Sequence, residues 1–137
     1  MANKMKKFMD FAKSLAELSH CKRATAGCVI CPMDFSQVYA IGYNGPPSGL
    51  PNDGCTNKPK ECGCIHAEAN ALIKLGDIHD ALLLTTRAPC FHCAGLIINS
   101  KKISQVHYIQ PYTDSRGIQD LKAVGILVRK WKNDRIQ

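Results

Sequence analysis

No run of about 18 apolar residues occurs anywhere in this sequence, so no segment reads as a membrane-spanning helix. Aromatic residues make up only 7% of the chain, thin for a platform on which single-stranded nucleic acid could stack. The bases form no long uninterrupted tract, although Lys and Arg outnumber Asp and Glu by 18 to 11. Lys4, Lys6 and Lys7 make the N-terminus basic, but Asp10 and Glu17 follow and no small-residue cleavage site appears. Those absences argue against a secretory signal and for a cytoplasmic protein. No internal repeat is visible.

What the sequence does contain is cysteine. There are 8 in 137 residues. In a reducing compartment that number points to metal ligands or buried thiols before disulfides. Their grouping agrees: Cys62 and Cys64 lie just before His66, and Cys90 and Cys93 form a C-x-x-C. The length, with 45% hydrophobic residues, suits one domain over residues 1–137 with a single core. The net charge of +7 suits an anionic partner, either nucleic acid or a phosphorylated small molecule, and equally an ordinary basic surface.

Phe8, Phe11, Ala12, Leu15 and Leu18 recur at spacings of three and four, which predicts an amphipathic helix over residues 4–18. Residues 26–31 read as a buried strand stopped by Pro32, and residues 37–42 as its hairpin partner. Between Tyr43 and Cys64, Gly, Pro, Asn and Asp crowd together and exclude regular structure. An irregular segment of about twenty residues in a small domain tends to be functional, and this one holds Cys55, Cys62 and Cys64. Helices are expected at 67–75 (ended by Gly76), 91–100 and 115–124, with strands at 81–86, 105–109 and 126–128. A hairpin followed by alternating strands and helices predicts a three-layer α/β/α sandwich around a mixed five-stranded sheet, with parallel pairing in its second half.

His66-Ala67-Glu68 begins one expected helix and Pro89-Cys90-Phe91-His92-Cys93 begins another. Exposed N–H groups at helix starts favour thiolate over thiol. His66, Cys90 and Cys93 would supply three ligands to zinc and leave a fourth position open, the arrangement of a catalytic site. Glu68, two residues past His66, stands close enough to move a proton without being a ligand. Either half of the pattern alone is common; both in this order, H-x-E then P-C-x-x-C, form the zinc-deaminase signature.

Between about Ser19 and Ile126 the sequence resembles the deoxycytidylate (dCMP) deaminases of the cytidine-deaminase-like superfamily. The resemblance rests on Ser19-His20-Cys21-Lys22-Arg23, on Gly42-Tyr43-Asn44-Gly45-Pro46-Pro47-Ser48-Gly49, and on the two metal motifs. It continues through Tyr108-Ile109-Gln110-Pro111-Tyr112-Thr113-Asp114. It implies hydrolysis of dCMP to dUMP and ammonia, with zinc-activated water attacking C4 while Glu68 protonates N3 and then the leaving amine. It also implies that the Ala67 N–H holds the base carbonyl, Asn44 the sugar, and Tyr112 a wall of the pocket. Plain turn and core roles are the alternatives for Asn44 and Tyr112. Arg23 and Lys22 are the cations expected at the phosphate, unless they are simply solvated.

The resemblance further implies a homo-oligomer, favouring a hexamer, activated by dCTP and inhibited by dTTP, with Gly42, Tyr43, Gly45 and Gly49 in the effector site. Some members hold a structural zinc, for which Cys21, Cys55, Cys62 and Cys64 remain once the other cysteines are assigned; reduced thiols are the alternative. Two features depart from or blur the family pattern. Arg87 stands where relatives more often carry Leu or His, as a phosphate contact or a solvated charge. Cys93-Ala94-Gly95 is also similar to tRNA adenosine deaminases. A nucleic-acid deaminase would need a channel that this chain has no basic tail to build. A zinc-stapled binding module would have no use for Glu68.

Overall fold

The computed structural model describes residues 2–132 and 135–136. Its elements run α1 (Ala2–Ala16), β1 (Gly27–Cys31), β2 (Ala40–Tyr43), α2 (Ala67–Leu72), β3 (Ala81–Arg87), α3 (Phe91–Ser100), β4 (Ile103–Gln110), α4 (Arg116–Ala123), β5 (Leu127–Lys132) and β6 (Arg135–Ile136). The strand order is β2-β1-β3-β4-β5-β6. β1 pairs antiparallel with β2 and β3, whereas β3, β4 and β5 are mutually parallel. The mixed five-stranded sheet expected from the sequence is therefore present, extended at its edge by the two-residue β6 antiparallel to β5. Among the described residues no helix is long and apolar enough to cross a membrane.

Strand alternation divides the core into two layers. Cys28, Ile30, Ala81, Leu83, Val106 and Val128 face one side and meet Ala67, Ala71, Ala94, Ile97 and Leu121 of α2, α3 and α4. Val29, Cys31, Leu82, Leu84 and Trp131 face the other side and meet Met5, Met9, Ala12 and Leu15 of α1. The α1 seam is thus built on methionines, while Phe11 and Leu18 of the expected stripe are 40% and 52% exposed. Phe8 stays partly buried, packed edge-on against Phe35 at 5.1 Å.

Most boundaries fall within one or two residues of expectation, and three of the differences have a local reason. α2 stops at Leu72, because the chain tightens into i→i+3 bonds from Lys74 N–H to Ala71 O and from Leu75 N–H to Leu72 O. Gly76 is not in the left-handed region and makes no helix cap. β2 starts at Ala40, three residues late, because residues 32–36 turn on themselves, with Ser36 N–H donating to Asp34. β5 runs on to Lys132, since Arg129-Lys130-Trp131-Lys132 still alternates, with Trp131 buried among charged neighbours.

Glycine sets how closely the helices approach the hairpin. A Cβ on Gly42 would overlap the Ala67 carbonyl oxygen of α2, and one on Gly27 would overlap the Ala12 carbonyl of α1. Since α2 carries His66 and Glu68 at its start, Gly42 also fixes how deep that pair sits. Gly42→Ala is expected to destabilise the fold by about 1–3 kcal/mol, the usual cost of overpacking a rigid contact. A chemical-denaturation midpoint equal to that of the parent would count against this account.

Candidate metal centre and cavity

His66 is the N-cap residue of α2 and Cys90 that of α3, both with extended backbone. Cys93 sits in the first turn of α3, and its N–H donates to Cys90 Sγ at 3.5 Å. The C-x-x-C spacing is thus an N-cap and N3 pair, in which sulfur replaces the usual capping oxygen. Because α2 and α3 lie on the same face of the sheet, their starts converge. His66 Nδ1 lies 3.3 Å from Cys93 Sγ and 3.4 Å from Cys90 Sγ.

These three donor atoms fall within 4.8 Å of one another. Zinc bonds of about 2.0–2.3 Å require ligand atoms roughly 3.3–3.8 Å apart in a tetrahedron, so the donor set fits. The electrostatics give Cys90 thiolate character. Cys90 is held far below the ordinary thiol range, to about 3, by hydrogen bonds from Cys93 and His66 that outweigh burial.

Glu68 lies one turn into α2, 5% exposed. Burial pushes its carboxyl upward, against the hydrogen bond from Thr85. The Thr85 hydroxyl is 2.7 Å from Glu68 Oε1 and 3.0 Å from the Arg87 carbonyl oxygen. Thr85 lies inside the expected strand 81–86 and is not among the expected site residues. The usable signal was its parity with Ala81 and Leu83, which turns its hydroxyl towards α2.

The metal-ligand cluster and Glu68 open onto a cavity of about 430 Å³, a size typical of small-molecule sites. Of the residues expected to hold substrate, Asn44, Ala67, Tyr112 and Arg23 line it; Lys22 does not. Lys22 Nζ is drawn instead to the Asp53 carbonyl, and Arg23 Nη1 to the Asn57 carbonyl at 3.3 Å. Asn44 accepts from the Ala26 N–H at 2.8 Å and donates to the Ala24 carbonyl at 2.7 Å. One amide proton and one lone pair remain for a ligand. Tyr112 is 40% exposed at the mouth. Its loop is pinned by the Asp114–Arg116 ion pair, which holds Asp114 down at about 2, and Arg116 in turn stacks over Phe91 of α3 at 4.5 Å. Lys60 and Arg87 also line the cavity; the sequence offered no signal for Lys60.

Of the segment expected to bind effectors, Gly42 owes its missing side chain to α2. Gly45 pairs with Ile65 across the irregular segment, Tyr43 is 36% exposed, and Gly49, at φ +91°, faces open space.

A second cluster borders the same cavity. The sulfurs of Cys21, Cys55, Cys62 and Cys64 lie within 4.8 Å of one another. Cys55 Sγ accepts N–H bonds from Lys22 and Asn57, each at 3.4 Å. Against its burial, these bonds bring Cys55 down to about 7. Backbone N–H groups aimed at sulfur are what a thiolate requires.

Residues 2–110 match the family model of the cytidine and deoxycytidylate deaminase zinc-binding region. The chain is 36% identical to the deoxycytidylate deaminase of Saccharomyces cerevisiae, over 90% of this chain and 43% of that protein. It is 33% identical to that of Mycobacterium phage D29, over 68% of this chain and 84% of the phage protein. It therefore spans less than half the length of the yeast relative. The dCMP deaminase of cyanophage S-TIM5, solved in complex with dCMP and dUMP, superposes with a TM-score of 0.81 at 27% identity. That match covers 93% of this chain and 96% of the phage chain. RibD of Acinetobacter baumannii follows the same fold, with a TM-score of 0.72 at 26% identity over 94% of this chain and 35% of RibD.

Zinc content separates ligand from neighbour. Cys93→Ala is expected to lose one equivalent of bound zinc by atomic absorption, while Glu68→Gln retains it. Loss of metal from Glu68→Gln would make the carboxylate a ligand instead.

Proposed function

The chain belongs to the cytidine and deoxycytidylate deaminase zinc-binding family, and from that premise we propose that it hydrolyses dCMP to dUMP and ammonia. The observation that carries the reading is the cavity itself. An open three-donor metal set lies beside a buried carboxylate, under a rim of Arg23, Lys60 and Arg87. Among the described residues Glu68 is the one carboxylate in that lining, beside the metal-binding cysteines. Such a balance favours an anionic nucleotide over a neutral nucleoside.

His66, Cys90 and Cys93 would hold the zinc, which would supply a Lewis acid that brings the ionisation of water into the neutral range. The protein's own groups do the rest. Glu68 carries protons from the attacking water, first to N3 of the base and then to the departing amino group. A C–O bond forms at C4, the C–N bond breaks, and ammonia leaves. Thr85 holds Glu68 Oε1 and so steadies the carboxylate that moves protons. Ala67, the first residue of α2, has an N–H with no acceptor within the helix, which suits it to the base carbonyl. Asn44 presents its remaining donor and acceptor to the sugar, and Tyr112 closes the mouth.

The four-thiol cluster is proposed to hold a second, structural zinc. Four donors make a closed site, and the ion would fasten residues 55–64 against the start of the cavity wall at Cys21. Control by dCTP and dTTP within a hexamer also belongs to this reading. It is supported by the resemblance of the Gly42–Gly49 segment and by the exposure of Tyr43 and Gly49.

Ammonia release is the direct test, on dCMP, dCTP, cytidine and a tRNA anticodon stem, each with and without dCTP and dTTP. Turnover of dCMP is expected, and Glu68→Gln should lower its kcat by roughly 10²–10⁴-fold. Activity on the RNA stem but on no mononucleotide would overturn the substrate assignment. For the structural site, Cys62→Ser should release one zinc equivalent and lower the unfolding temperature while keeping the catalytic equivalent. An unchanged zinc content would leave the four thiols as free cysteines.

A further inference from the structure

We propose that Arg87 recognises the substrate phosphate and sets the preference for a nucleotide over a nucleoside. This rests on the reading of the cavity as a dCMP site. Arg87 ends β3, two residues after Thr85 and three before Cys90. Along β3, Ala81 and Leu83 face the α2 and α3 layer, and Thr85 continues that parity to touch Glu68. Strand alternation carries Arg87 to the same face, where it lines the catalytic cavity. It also borders a second cavity beside Lys13 and Ala16 of α1, but its parity with Thr85 assigns the side chain to the catalytic side.

Arg87 differs from the other cations of the rim in one respect. Arg23 is exposed and already donates to the Asn57 carbonyl. Lys60 is exposed on the cysteine-rich segment. Arg87 is half-buried, and among the described residues its guanidinium has no hydrogen-bond or ion-pair partner. A guanidinium drawn part-way out of water with its fork unmatched is poised for an external anion, and its geometry suits two phosphate oxygens at once.

Two readouts on the zinc-loaded protein test this. The first is the ratio of kcat/KM for dCMP to that for deoxycytidine, in the parent, Arg87→Leu, Arg87→Gln and Arg23→Ala. Losing a charge-assisted contact should lower the ratio roughly 10- to 100-fold in both Arg87 variants, mainly through KM for dCMP. Equal losses on the two substrates would mean a structural role and overturn the proposal. So would a collapse of the ratio in Arg23→Ala with none in the Arg87 variants. The second readout is calorimetric titration with inorganic phosphate, which needs no turnover. If the parent deaminates neither substrate, the functional reading falls, yet weaker phosphate binding in Arg87→Gln would still support Arg87 as the anion site. Phosphate binding equal to that of the parent would overturn it.

Discussion

Everything chemical in this protein depends on two helix starts meeting on one face of a sheet. α2 and α3 begin in different crossovers, 24 positions apart as counted from His66 to Cys90. The parallel β3 and β4 and the antiparallel β1 set the platform on which both lie. Small residues let them close: Ala67 and Ala71 on one helix and Ala94 on the other are fully buried. With bulkier side chains there, the Nδ1 and Sγ atoms could not stand within zinc-binding distance. Gly42 belongs to the same constraint, because it seats α2 against the hairpin. The centre is a consequence of packing as much as of ligand chemistry.

The long segment between β2 and α2 solves a different problem. It buries little of its own: Leu50 is 59% exposed and Ile65 38%, and its backbone bonds are scattered turns plus one bridge from Gly45 to Ile65. A chain so poor in apolar contact cannot offset its ordering entropy by hydrophobic burial. Its fixed points are polar and sulfur-based. Asn44 ties its beginning to residues 24–26, and Cys55, Cys62 and Cys64 gather around Cys21 near its end. The same gathering brings Lys60 and Arg23 to the cavity rim, so the thiol cluster shapes the site from outside the chemistry.

Charge acquires meaning only at the cavity. A net +7 spread over a surface says little about function. Concentrating three cations and one carboxylate in one small cavity says more, because low-dielectric walls focus the field on whatever enters. Burial separates the two groups within that lining. Glu68 is enclosed and paired with Thr85, while Arg87 is half-enclosed and, among the described residues, unpaired. His107 and Cys31 are buried away from the cavity: burial drives His107 down to about 4 and pushes Cys31 up to about 12.

The amino-acid sequence by itself determined the layered fold, the helix-start positions of His66, Glu68, Cys90 and Cys93, and the grouping of the remaining cysteines. Those features live in local patterns: strand and helix periodicity, and ligands one to three positions apart at helix starts. Boundaries were less legible where competing local bonds decided them, as at Leu72, or where a charged edge strand hid its alternation, as beyond Val128. Only the tertiary structure decided that Thr85 touches Glu68, that Lys22 turns away to Asp53 while Arg23 remains at the rim, and that Arg87 has no partner among the described residues. The physical reason is distance along the chain. These contacts join positions 17 to 34 residues apart, and no periodic pattern encodes which of several like side chains will find an acceptor. A motif can name the atoms that bind a metal; which charge is left unsatisfied follows only from where every other group has gone.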